Sequence, residues 1–242
     1  MAFLQNGRNL NSVCNQLPLN IQLRDDATFS SFYPGDNIEV LSAIKQLIGR
    51  KENAFLYIWG QEGVGRSHLL QAACHAASEV NIAAVYVPLL EQRSSSTSIL
   101  QDIDGIPLIC IDDIQVIAGQ STAEEALFHL FNRVQLQGNV LLVAADISPK
   151  NLPIVLPDLK SRLASGVTYQ LHRLNDEQKI NALQLRATQR GLQLAKTVGQ
   201  FLLSRCSRNM TELFSTLEKL DKASLAEQRR LTIPFVKQVL AL

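Results

Sequence analysis

Residues 60–67 read Gly-Gln-Glu-Gly-Val-Gly-Arg-Ser. They stand between an apolar, aromatic run at 54–59, Ala-Phe-Leu-Tyr-Ile-Trp, and a stretch at 67–77 that reads as a helix. Glycines at 60, 63 and 65 let consecutive backbone N–H groups curl around phosphate oxygens, and the helix that follows points its positive end at the same anion. A buried strand, a glycine-rich turn and a helix in this order require an α/β fold with a phosphate-binding loop. One residue departs from the usual pattern. Arg66 stands where such loops carry lysine, a compact charge that fits between the last two phosphates. Its wide planar fork cannot take that place without displacing something, so backbone cradling of a diphosphate is expected while alignment of a third phosphate is not. Ser67 keeps the hydroxyl that binds magnesium in such loops. The plain alternative is a glycine-rich turn with a surface arginine.

A second feature favours the phosphate reading. Pro107-Leu-Ile-Cys-Ile111 is another buried-strand run and ends in Asp112-Asp113. An acid at the end of a strand beside a phosphate loop can hold a magnesium-bound water, and a second acid can polarise an attacking water. Ser67, Asp112 and Asp113 are therefore the candidate metal residues. The alternative for the two acids is a solvated cap or turn before Gln115.

Further strands are expected at 83–87, 140–144 and 167–171, alternating with helical patterns at 37–48 and around Leu127, Leu130, Phe131 and Val134. That alternation predicts a five-stranded parallel sheet flanked by helices. Beyond Leu174 only helical patterns follow, at 175–190, 196–206, 209–223 and 234–240, with Asn175/Gln178 and Asn209/Glu212 placed as capping boxes. The expected organisation is a flexible Asn- and Gln-rich tail over 1–24, a nucleotide-binding α/β domain over 25–173 and a small all-helical lid over 174–242.

A net charge of +1 on 242 residues gives no global drive toward nucleic acid or membrane, so any polyanion contact is local. Cys14, Cys74, Cys110 and Cys206 form no Cys-x-x-Cys pair, and they read as reduced packing residues of a cytoplasmic protein. No signal-peptide pattern opens the chain and no segment approaches a membrane span. His68 and His75 follow the loop on its helix. His68 joins the candidate nucleotide residues with Val64, although both histidines read more simply as helix-face residues.

Together these motifs resemble the AAA+ ATPases and, within them, the bacterial replication initiator DnaA, over about Thr28 to Leu242. The stretch Thr28-Phe-Ser-Ser-Phe-Tyr-Pro-Gly-Asp-Asn37 resembles the segment that packs beside the base, which brings Tyr33 and Pro34 into the site. Ile111 to Gln115 resembles the acidic motif, Asp146 the polar residue near the terminal phosphate, and Leu159-Lys-Ser-Arg162 the arginine-finger box. The family usually places an arginine at the start of the third lid helix. The aligned residue here is Thr211, with Arg208 three residues earlier as its candidate substitute. No basic DNA-reading module appears after Arg229-Arg230. The chain is thus more similar to the DnaA-homologous regulators than to the initiator itself, and arginine in the loop is characteristic of those regulators.

The resemblance implies a regulator that holds a nucleoside diphosphate, ADP foremost and with or without Mg2+, and has little ATPase activity of its own. It implies docking on the DNA-loaded sliding clamp through Gln16, Leu17, Leu19 and Ile21. It further implies that Arg162, acting in trans, stimulates hydrolysis by ATP-bound DnaA and so prevents re-initiation. Self-association through the Arg162 face is a further option. The competing readings are a self-contained ATPase or loader, and a DNA-binding initiator-like module.

Overall fold

In the computed structural model, residues 23–50, 52–92, 96–103 and 105–241 are described below. The tail residues Gln16, Leu17, Leu19 and Ile21, and Cys14, lie outside them.

Five parallel strands form the sheet: β1 (Ala54–Trp59), β2 (Ala84–Pro88), β3 (Leu108–Asp112), β4 (Val140–Ala145) and β5 (Val167–Gln170). Their spatial order is β2-β3-β4-β1-β5, so the chain leaves β1 for the far edge and returns strand by strand. In register, Trp59 pairs with Ala145 on one side and Gln170 on the other, which brings the ends of β1, β4 and β5 together. Open α/β sheets bind ligands outside these carboxyl ends.

Alternation along each strand sorts the core. Tyr57, Ile109, Ile111, Leu141 and Val143 face one layer. Leu56, Ile58, Cys110, Leu142 and Ala144 face the other. The first layer is closed by α3 (Ser96–Asp102), α4 (Ser121–Gln137) and α5 (Pro157–Ser165), the second by α1 (Ile38–Leu47) and α2 (Arg66–Glu79). Strands buried on both faces need continuous apolar runs, and each fully buried Leu, Ile or Val contributes about 1.5–3 kcal/mol. Cys74 and Cys110 are buried in this packing.

After β5 the chain forms α6 (Asp176–Gln189), α7 (Lys196–Arg205), α8 (Met210–Glu227) and α9 (Ile233–Leu240). Leu183, Leu202, Leu213, Leu217, Leu220 and Phe235 give these helices a core of their own. Asn175 closes α6 with Gln178 in the reciprocal box expected from sequence. Asn209 caps α8 differently, accepting from the amide of Thr211 at 2.8 Å. No helix among the described residues is long and apolar enough to cross a membrane.

Segment 24–37 runs as a strap between the sheet layers and the lid. Toward α2, the Arg24 amide donates to Gln71 (2.9 Å), and His75 lies 3.0 Å from the Arg24 carbonyl. Toward α6, Arg186 pairs with Asp26 and also donates to its carbonyl at 3.1 Å, Gln189 donates to the Ser30 carbonyl, and Gln178 to Asp36. The α6 partners fall on one helix face by their spacing. Asn37 closes the strap by bonding both the amide and the carbonyl of His172, where the chain leaves the sheet.

Candidate nucleotide site

The phosphate loop folds as it does because each of its glycines is hemmed in by a different part of the chain. Gly63 and Gly65 take φ of +79° and +99°, conformations that side chains resist. A Cβ on Gly65 would lie 2.7 Å from the Phe32 ring, and one on Gly63 would lie 3.2 Å from Oδ1 of Asn209. One on Gly60 would meet the Leu171 carbonyl at 2.7 Å. Strap, lid helix and β5 exit therefore all close on the loop. The N-cap of α2 is Gly65, which has no side chain to satisfy the first N–H groups of the helix. Such a terminus fits an anionic phosphate.

Arg66 turns back onto its own loop. One guanidinium nitrogen donates to the Gly60 carbonyl at 2.7 Å and the other to Asp113 Oδ1 at 3.1 Å, between side chains only 11% and 15% exposed. A polar chain continues from there: Gln115 donates to Asp113 at 2.9 Å, and the Asp146 amide donates to Gln115 at 3.3 Å. Asp113 sits at φ +56°, ψ +46°, a left-handed conformation that aspartate tolerates better than most residues and that recurs at functional sites.

Asp112 is buried at the end of β3, where it accepts from the Tyr86 hydroxyl at 2.9 Å and from the Asp113 amide at 3.0 Å. Burial and then the neighbouring Asp113 carboxylate raise its pKa above the ordinary aspartate value, while the Ser67 and Tyr86 hydroxyls and Arg66 oppose the shift. The sequence-expected pair Ser67 and Asp112 are thus neighbours. No group of three or more His, Cys, Asp or Glu side chains converges on one point among the described residues. A hydroxyl and a carboxylate fit a magnesium ion whose remaining ligands are water and phosphate oxygens.

The other candidates fall into two sets. Asp146 lies beside the loop, at the exit of β4 next to Gly60, whose amide donates to the Ala145 carbonyl. Val64 packs against the second core layer. Tyr33 packs with the lid core, and its hydroxyl accepts from Asn181 at 3.2 Å. The Pro34 carbonyl accepts from the Asn37 side chain. His68 faces the strap, with Nε2 2.9 Å from the Thr28 carbonyl and 3.2 Å from Ser31 Oγ. Burial lowers its pKa, opposed by the bond to Thr28. Arg208 is 70% exposed and lies 3.8 Å from Asp176 in the lid.

Arg162 stands apart from this cluster. It projects from the exposed face of α5 while Leu159 and Leu163 of the same helix are buried in the core. Its guanidinium lies 5.9 Å from the centre of the Phe131 ring, and it forms no ion pair among the described residues. Sequence reasoning missed Gln115, which bridges Asp113 to Asp146, and Asn209, which abuts Gly63. Both were visible, one inside the acidic motif and one as a helix cap, but their cross-chain partners leave no local pattern.

The family model described as the bacterial DnaA ATPase domain matches residues 23–170. That of the lid domain of Hda matches residues 176–240. Among solved structures, domain III of the replication initiation protein DnaA from Thermotoga maritima is similar with a TM-score of 0.74 at 22% identity, over 91% of this chain and 98% of that one. DnaA from Aquifex aeolicus, bound to AMPPCP, is similar with a TM-score of 0.67 at 22% identity, over 86% of this chain and 68% of that one. RuvB from Thermotoga maritima is similar with a TM-score of 0.65 at 15% identity, over 90% and 72%. The structural likenesses show a shared AAA+ fold.

Proposed function

The chain belongs to the bacterial DnaA ATPase family, as an Hda-like AAA+ regulator of replication initiation, and from that premise we propose that it acts on DnaA rather than on a substrate of its own. It holds a nucleoside diphosphate, ADP foremost, in the Gly60–Ser67 loop as a structural ligand. It docks on the DNA-loaded sliding clamp through Gln16, Leu17, Leu19 and Ile21. From there Arg162 reaches the ATP site of a DnaA molecule and promotes hydrolysis, which prevents re-initiation. The observation that carries this reading is the contrast between two arginines. Arg66, the cation of the chain's own loop, is engaged by Gly60 and Asp113. Arg162 is presented on the surface of a helix anchored by Leu159 and Leu163, without a carboxylate partner among the described residues.

The chemistry follows from position. A guanidinium set against the charge that develops on a transferred phosphoryl group accelerates transfer by about 10³ to 10⁵. Within the chain's own site, the loop and the α2 N-terminus bind phosphates, Asp112 and Ser67 would hold Mg2+, and the strap and lid enclose the ligand. Tyr33, Pro34, Val64, His68, Asp146 and Arg208 complete that site in supporting roles. Tyr33 and His68 act chiefly by fixing the strap.

The experiment is DnaA-bound ATP hydrolysis on clamp-loaded DNA with wild type, Arg162→Ala, and a Gln16→Ala/Leu19→Ala variant. Arg162→Ala keeps nucleotide and clamp binding but loses stimulation, whereas the tail variant loses clamp binding while the core stays folded. Full stimulation by Arg162→Ala sinks the finger assignment. A self-contained ATPase would have Asp113 activate water and Arg66 do the work of the usual lysine, and multiple turnovers of ATP by the chain alone would establish it instead.

A further inference from the structure

The helix that carries Arg162 is short and has no cap of its own. Its N-cap residue is Leu156, whose side chain can accept nothing, and Pro157 at the first helical position has no N–H to offer. An acceptor for the amides that lead into the helix comes instead from α4, far back in the chain. Glu124 is completely buried, and its carboxylate accepts from the Leu156 amide at 2.8 Å and from the Val155 amide at 3.0 Å and 3.1 Å through its two oxygens. The same carboxylate accepts from the Gly119 amide at 2.7 Å, just ahead of α4. The N-cap residue of α4, Gln120, likewise makes no side-chain capping bond. One buried carboxylate in the first turn of α4 therefore ties the segment ahead of its own helix to the two residues that lead into α5, and its negative charge lies where the helix dipoles favour it.

We infer that Glu124 is a positioning residue for Arg162, and this rests on the finger reading given above. Two kinds of contact fix α5. Leu159 and Leu163 set how closely it approaches the core, but apolar contacts are non-directional and tolerate sliding and rotation. Glu124 supplies the directional part by holding the two residues that lead into the helix. Arg162 lies six residues beyond Leu156, about 9 Å along the axis, so a small tilt at the cap becomes a comparable displacement at the guanidinium. Misplacement of a transition-state group by about 1 Å can cost on the order of 10²-fold in rate. Among the described residues the bonds of the Glu124 carboxylate lead to the base of the arginine helix and to the start of its own, and none reaches the phosphate loop.

The test uses the full chain with Glu124→Gln and Glu124→Asp. Glutamine keeps the shape but turns an NH2 toward backbone donors. Aspartate keeps the charge but is one methylene too short to reach both segments. Amide hydrogen exchange is read at Gly119, Val155 and Leu156 and through α5, beside stimulation of DnaA hydrolysis at saturating regulator. Nucleotide affinity serves as the control for folding. Exchange at these amides should rise in both variants while protection of the phosphate loop stays as in wild type, and stimulation should fall about 10- to 100-fold in step with exchange.

Unchanged exchange at Val155 and Leu156 overturns the capping role. Raised exchange with full stimulation overturns the positioning role, provided that Arg162→Ala is inactive in the same assay. If Arg162→Ala is itself fully active, the finger reading fails and takes the positioning role with it, whatever the exchange shows. Should Glu124→Gln not fold, the aspartate variant carries the same comparison.

Discussion

Arg66 and Asp113 allow a quantitative test of whether the loop's own cation is engaged by the protein. At an effective dielectric of about 20, unit charges some 4 Å apart attract by about 4 kcal/mol, and desolvating two nearly buried groups offsets much of that. A net coupling of about 1–2 kcal/mol remains. Arg66→Ala also loses the charge-assisted bond to the Gly60 carbonyl, so its total cost is about 3 kcal/mol. For the partner, Asp113→Asn is the right change, because asparagine tolerates the left-handed backbone and keeps an acceptor for Gln115. It should cost about 1–2 kcal/mol. The double variant should then cost about 3 kcal/mol, no more than Arg66→Ala alone, since the second change removes a partner already lost. Urea unfolding of wild type, both single variants and the double variant measures the cycle. Low exposure also predicts that the coupling survives high salt. Additivity within roughly 0.3 kcal/mol, or a coupling erased by salt, would refute the reasoning.

Two further outcomes follow from the site. Gly65→Ala combines a strained φ of +99° with a clash against Phe32, so it should destabilise by more than about 1 kcal/mol and weaken nucleotide binding by over tenfold; calorimetric titration with ADP checks it, and near-wild-type affinity would contradict the close approach. His68 is held below the ordinary imidazole value of 6.5 by burial. The unfolded chain therefore takes up a proton first as pH falls, and stability should decline below pH 6.5 until the lowered native pKa is passed. His68→Gln should flatten that slope in urea midpoints measured across the range, and an unchanged slope would rule His68 out as its source.

The sheet and loop were legible because their determinants are local. Strands buried on both faces need unbroken apolar runs, and Gly60, Gly63 and Gly65 announce the turn between β1 and α2. The lid was legible from helical period and from Asn175. Two short helices were not. Ser96–Asp102 is too brief to show a period, and only Ile99 and Leu100 tie it to the core. Pro157, Leu159 and Leu163 point to α5, but nine residues show too little of a helical period to mark its bounds around Arg162. The strap lay further out of reach. Asp26 finds Arg186, and Asn37 finds His172, across intervals that no periodicity spans. At the site, spacing brought Ser67 and Asp112 together on paper, while the inward turn of Arg66 depended on the backbone conformation of Asp113.

The three glycines of the loop also bear on how the molecule assembles. Phe32, Leu171 and Asn209, which close on Gly65, Gly60 and Gly63, come from positions spread over most of the chain. Such long-separation contacts must meet the entropy of loop closure before they return any stabilisation, which slows folding. The phosphate cradle therefore reaches its final shape only after strap, sheet edge and lid have docked. A ligand that holds the finished cradle should slow unfolding more than it speeds folding.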